Sequence, residues 1–129
     1  MILHIVHDTT LLDVQSSFSQ TFPYLKIEFV YAATEENLVK DCHPELQLNK
    51  IQKKKLFPNL LQVQPWYKYA DVKFLFNTMF GISIKLLRRH EAEWIEASDD
   101  LPVEELNKIA RHSAEYYFKL KREKQVHIW

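Results

Sequence analysis

Residues 66–98 read WYKYADVKFLFNTMFGISIKLLRRHEAEWIEAS. Tyr69, Val72, Phe76, Met79 and Phe80 recur at the spacing of a helix with one apolar face. Gly81, the single glycine of the chain, stands where a helix end turns left-handed, a conformation glycine adopts without steric cost. Ile82, Ile84 and Leu86 then alternate as strand residues do. The stretch predicts a helix over 68–80, a strand over 82–88 and a strand over 93–97. Pairing Leu86 with Ile95, Leu87 with Trp94, Lys85 with Glu96 and Arg88 with Glu93 matches apolar and opposite-charge positions together. That register leaves residues 89–92 as a four-residue loop.

Working outward, residues 1–31 repeat the theme. Met1–Val6 is a short apolar strand with Leu3 and Ile5 inward, and His7 to Thr10 form a turn. Thr10 and Asp13 make a helix-starting pair. Leu11, Val14, Phe18 and Phe22 share one helical face, and Pro23 stops the helix. Leu25, Ile27, Phe29 and Tyr31 alternate with Lys26, Glu28 and Val30, the pattern of a half-buried strand. Residues 32–59 read as a linker with a short helix around Leu48, Ile51 and Leu56, long enough for a crossover. Leu60 to Gln64 is a strand with Leu61 and Val63 inward.

After Ala97, Ser98, Asp99 and Asp100 supply capping side chains, and Glu104 and Glu105 suit a helix start. The helix that follows is the longest. Val103, Leu106, Ile109, Ala110, Ser113, Tyr117 and Leu120 line one side. Lys119, Lys121, Arg122 and Lys124 crowd its last turns, where the dipole favours cations. An apolar tip, Val126, Ile128 and Trp129, closes the chain.

Asp13, Val14, Phe18 and Phe22 match Asp71, Val72, Phe76 and Phe80 at one offset (71 − 13 = 58). Leu3 and Ile5 fall on Leu61 and Val63 at that same offset. The order is βαβ, linker, βαββα. The expected fold is a single α+β domain over 1–129: ferredoxin-like duplicated βαβ units in one sheet, an extra hairpin strand and a long C-terminal helix. Its parts are a first unit (1–31), a linker (32–59), a second unit (60–97) and the terminal helix (98–124).

Eight Phe, six Tyr and three Trp in 129 residues supply a core without disulfides. Lys plus Arg and Asp plus Glu both number 17, and this balance argues against a general nucleic-acid binder. Cys42 is alone, which excludes an intrachain disulfide and suits a reducing compartment. No apolar run is long enough to span a membrane, and the first ten residues lack a leader pattern. The expected location is the cytoplasm.

Few residue patterns point to chemistry. His4, His7 and Asp8 are the nearest approach to a metal set, but His4 and His7 would point to opposite faces of a strand. Cys42 and His43 are adjacent, a poor geometry for proton transfer. Asp99, Asp100, Glu104 and Glu105 are explained as caps and dipole partners. No metal, cofactor or catalytic residue is therefore expected. The strand-to-helix turns are the candidate ligand site, with His7, Asp8 and Thr10 from one and Trp66, Tyr67 and Lys68 from the other. The sheet face opposite the helices would expose Val6, Leu87 and Trp94, and these with Trp129 are the candidate interface of a homo-oligomer. Lys53, Lys54, Lys55, Arg88 and Arg89, with Trp66, Tyr67 and Tyr69, carry the ingredients of a single-strand nucleic-acid surface. The glycine–aromatic signature of an RNA-recognition sheet is missing.

Phe80 to Asn107 combines a strand, a basic turn, Glu93-Trp94-Ile95-Glu96, an acidic cap and Glu104-Glu105-Leu106-Asn107. Together with Phe22-Pro23-Tyr24-Leu25-Lys26-Ile27-Glu28-Phe29, it resembles a family of small uncharacterised bacterial proteins. Where those proteins usually have glycine in the hairpin turn, this chain has His90-Glu91-Ala92. The resemblance implies a role without assigned activity. The functional expectation is a binding or interaction protein, homodimeric and non-catalytic. The alternatives are a small-ligand sensor or enzyme built on the strand-to-helix turns, and a single-stranded nucleic-acid binder.

Overall fold

The computed structural model describes residues 1–30, 45–48 and 60–126, with side chains as far as 123. Its elements run β1 (Ile2–His4), α1 (Leu11–Thr21), β2 (Leu25–Val30), β3 (Leu60–Gln62), α2 (Tyr69–Phe80), β4 (Ser83–His90), β5 (Glu93–Glu96) and α3 (Val103–Val126). The architecture is α+β, with two antiparallel sheets and a long C-terminal helix. The helix expected around Ile51 and Leu56, Tyr31, and the tip carrying Trp129 lie outside the described residues.

The helical periodicities translate directly into packing. Leu11, Val14, Phe18 and Phe22 of the first unit are buried, as are Tyr69, Val72, Phe76, Met79 and Phe80 of the second. They meet Leu25, Ile27, Ile84 and Leu86 from the inner face of the larger sheet in one core cluster. Gly81 ends α2 at φ 66°, and its N–H donates to the Asn77 carbonyl at 2.8 Å. Val103, Leu106 and Ala110 bring α3 into the same core. Ile109 and Leu120, expected on that side of α3, are exposed instead. The helix touches the core along a narrow stripe, and residues a third of a turn away stay wet.

The strand pairing differs from the expected single ferredoxin-like sheet. β1 pairs with β3 in a two-stranded ribbon, and β2, β4 and β5 form a separate three-stranded sheet with β4 central. All the pairings are antiparallel, including β1 with β3. The side-chain matches across the strands account for this choice. Ile27 stands opposite Leu86, Phe29 opposite Ile84 and Glu28 opposite Lys85, while Leu3 stands opposite Leu61. These pairs join apolar side chains to each other and a carboxylate to an ammonium.

The β4–β5 hairpin also closes more tightly than expected. Leu87 pairs with Glu96, Arg88 with Ile95, Arg89 with Trp94 and His90 with Glu93. The connection is the two residues Glu91 and Ala92, with Glu91 at φ 55°. The shift is by two positions, so Trp94 and Leu87 keep the face assigned to them and only their partners change. A two-residue connection gains further ladder pairs, at the cost of a left-handed Glu91.

The two units share more than their apolar pattern. The Thr9 N–H donates to the Val6 carbonyl at 3.1 Å, and the Tyr67 N–H to the Gln64 carbonyl at 3.0 Å. Leu48 N–H reaches the Thr9 carbonyl and Val103 N–H the Tyr67 carbonyl, both at 2.8 Å. Bridges join Thr10 to Gln47 and Lys68 to Pro102. Each strand-to-helix turn is thus clamped by a segment that follows its own unit.

Candidate functional site

Thr10 and Lys68 are the helix-capping residues of α1 and α2, both in extended backbone conformation. At the first turn the cap is reciprocal. Thr10 Oγ1 accepts from the Asp13 N–H at 3.2 Å, and Asp13 Oδ2 accepts from the Thr10 N–H at 2.9 Å. At the second turn Asp71 Oδ2 accepts from the Lys68 N–H at 2.9 Å. The lysine ammonium has no acceptor to return, so only half of that arrangement forms.

The expected ligand residues do not converge. Because β1 and β3 run antiparallel, the turn after β1 and the turn after β3 lie at opposite ends of the ribbon. His7 and Asp8 are exposed, and Thr10 is spent on its cap. At the other end Trp66 and Lys68 are exposed and Tyr67 is half-buried.

The second turn does form a concavity of its own. Trp66, Tyr67, Asp71, Phe74, Leu75 and Thr78 line an open hollow of about 460 Å³. Phe74 is 73% exposed and Trp66 64% exposed, the largest apolar surfaces displayed at this end of the molecule. The Trp66 and Tyr67 rings meet edge to face, with centroids 6.3 Å apart. Asp71, the one carboxylate in the lining, is held by the cap. Phe74 also borders a second hollow of about 320 Å³, with Lys73, Asn77, Ser83 and Ile84. The sequence reading named Trp66 and Tyr67 but not Phe74. The available signal was its place one position off the buried α2 stripe.

A polar cluster sits behind α2. The Tyr69 hydroxyl donates to Glu96 Oε2 at 3.2 Å, and Lys73 Nζ lies 2.7 Å from Asp99 Oδ1. The same ammonium stands 4.3 Å from the centre of the Tyr69 ring. Burial, reinforced by the Glu96 charge, pushes the Tyr69 hydroxyl above its ordinary value. The hydrogen bond to Asp99 raises Lys73. Both groups therefore keep their protons at neutral pH, and neither serves as a base. The cluster ties α2 to the β5–α3 connection, as does the Ala70 N–H donating to the Asp99 carbonyl at 3.4 Å.

Of the expected interface residues, Leu87 and Trp94 are half-buried on the outer face of the larger sheet. Val6 is exposed just beyond β1, outside both sheets. Lys26 Nζ lies 4.8 Å and the Arg89 guanidinium 5.1 Å from the centre of the Trp94 ring. The indole is thus sheltered by two cations of its own sheet rather than presented bare. Of the nucleic-acid set, Lys53, Lys54 and Lys55 lie outside the described residues. Tyr69 is buried and cannot stack on a base, and Arg89 is engaged by Trp94. Among the described residues no three His, Cys, Asp or Glu side chains group as metal ligands do, and no helix is long and apolar enough to cross a membrane.

The two segments behind the family resemblance meet in space: Asn107 Oδ1 accepts from the Tyr24 N–H at 2.9 Å. Comparison with protein-family models, with curated proteins and with solved structures finds no match, so that resemblance rests on these residues alone.

Proposed function

We propose that the protein is a non-catalytic binding protein, homodimeric and cytoplasmic, whose aromatic hollow beside α2 receives an apolar side chain of a partner protein. The observation that carries this reading is the pair Trp66 and Phe74, both mostly exposed on one concave surface. Burying a side chain of that size contributes roughly 1.5–3 kcal/mol, so leaving both in water is a standing cost that a bound partner removes. The titratable groups nearby are already committed to caps and ion pairs, which favours recognition over chemistry. The homodimer is supported by further exposed apolar side chains, Tyr116 and Val6 among them, and the cytoplasm by the single thiol of Cys42. The recurrence of clamps, turns and buried faces between the two units supports a chain built by duplication of a βαβ unit.

Binding of the apolar dye 1-anilinonaphthalene-8-sulfonate, followed with Trp fluorescence, tests the hollow. Phe74→Ser is expected to abolish most of the dye response without lowering the melting temperature. Leu12→Ser, at another exposed apolar residue, leaves the response intact. A Phe74→Ser protein that binds dye as the wild type does would remove the hollow from consideration.

A further inference from the structure

We infer that the side chain received by the hollow beside α2 carries an alkylated ammonium head, as a methylated lysine of a partner protein does. This rests on the binding reading above and names the chemistry of the group bound. Three aromatic residues, Trp66, Tyr67 and Phe74, line the hollow, and Asp71 is the charged residue among the lining. The Trp66 and Tyr67 rings stand nearly perpendicular, at 87°, and so form two walls rather than one flat stack. A ring face is negative at its centre and attracts a cation, indole most strongly. The fold already uses this attraction: Lys26 and Arg89 stand over Trp94, and Lys73 over Tyr69. Among the described residues no cation of the chain stands over Trp66, Tyr67 or Phe74, although Trp66 and Phe74 are mostly exposed.

The charge at the site selects the same ligand. Asp71 Oδ2 accepts from the Lys68 N–H at 2.9 Å, which holds the carboxylate in place without neutralising it. Its full negative charge outweighs the partial positive charge at the start of α2, about half a unit. Lys73 is paired with Asp99 at 2.7 Å and lines the second hollow instead of this one. A plain lysine ammonium is compact and strongly hydrated, and one exposed carboxylate offers little to replace that water. Methyl groups remove its donors, spread its charge and add apolar surface, so the head gains from ring contact what it lacks in hydrogen bonds. The volume of about 460 Å³ falls within the usual size of small-ligand sites, roughly 300–1,000 Å³, and takes the head with its methylene stem.

Titration of the isotope-labelled full chain, read by NMR at the Trp66 indole N–H, tests the assignment, with Trp66→Phe identifying the signal. The probes are choline, the neutral alcohol in which carbon replaces the choline nitrogen, and two otherwise identical peptides carrying trimethyllysine or lysine. Choline is expected to bind about five-fold more tightly than the alcohol, the difference being the ring–cation attraction. The trimethyllysine peptide is expected to bind more tightly than choline and than the lysine peptide. Asp71→Asn keeps an oxygen for the Lys68 N–H, so the helix start stays capped. It is expected to weaken choline binding about three-fold and leave the alcohol unchanged. Equal binding of choline and the alcohol, or an Asp71→Asn protein that loses neither or both, overturns the cationic assignment and leaves the apolar hollow standing. Choline binding more tightly than the trimethyllysine peptide overturns the assignment to a partner's side chain. No shift with any probe overturns this inference alone, and the binding reading falls with it only if Phe74→Ser also leaves the dye response unchanged.

Discussion

Glu91 and Lys68 each occupy a backbone position that suits another residue better. Glu91 sits at φ 55° in the two-residue turn between β4 and β5, where a Cβ crowds the following carbonyl. Its N–H donates to Ser113 Oγ at 3.0 Å, a bond any residue but proline can make. Glu91→Gly is therefore expected to stabilise the fold by up to about 1 kcal/mol, the steric relief being partly offset by a freer unfolded chain. A urea melt showing Glu91→Gly less stable than wild type would contradict the strain argument. Lys68 has the extended backbone of a helix cap but no acceptor to offer. Lys68→Thr completes the arrangement that Thr10 already makes with Asp13, and a gain of about 1 kcal/mol is expected by the same measurement.

At the scale of elements, α1 and α2 were legible because their buried residues fall on one stripe, and in both the stripe alone decides what is inside. The hairpin register was not, because two registers related by a two-residue shift keep every side chain on its face. What separates them is the turn, and a Glu in a glycine-like position gives no sequence signal for a tight one. α3 was read too broadly. Its full list of small and apolar residues spans two stripes, one that meets β4 and the core and one that faces away. Periodicity reports that a helix has apolar residues, not how many neighbours it packs against.

At the scale of the molecule, the Tyr69, Lys73, Glu96 and Asp99 cluster links α2 to the sheet edge and to the start of α3. Tyr69 and Lys73 both hold their protons more tightly in the fold than their ordinary values of 10.0 and 10.5 imply. Their contribution to stability is therefore complete below about pH 10 and is lost as pH rises through the folded-state values. Thermal melts are expected to fall steeply above pH 10, and Tyr69→Phe to flatten that fall relative to wild type. Equal slopes in the two proteins would mean the tyrosine proton does not contribute. Lys73 is substantially solvent-exposed and adds less than its geometry suggests.

The order of the described elements and the buried stripes of α1 and α2 could be read from the sequence, because each depends on residues near one another along the chain. How the strands pair was settled by long-range packing. Separating β1 and β3 from β2, β4 and β5 depends on contacts such as Leu3 with Leu61 and Glu28 with Lys85, between residues more than fifty positions apart. The same long-range choice set the two strand-to-helix turns at opposite ends of the ribbon and left Trp66 and Phe74 to form a hollow alone. Local pattern carries no information about which distant partner wins, since that is settled by the packing of whole faces at once.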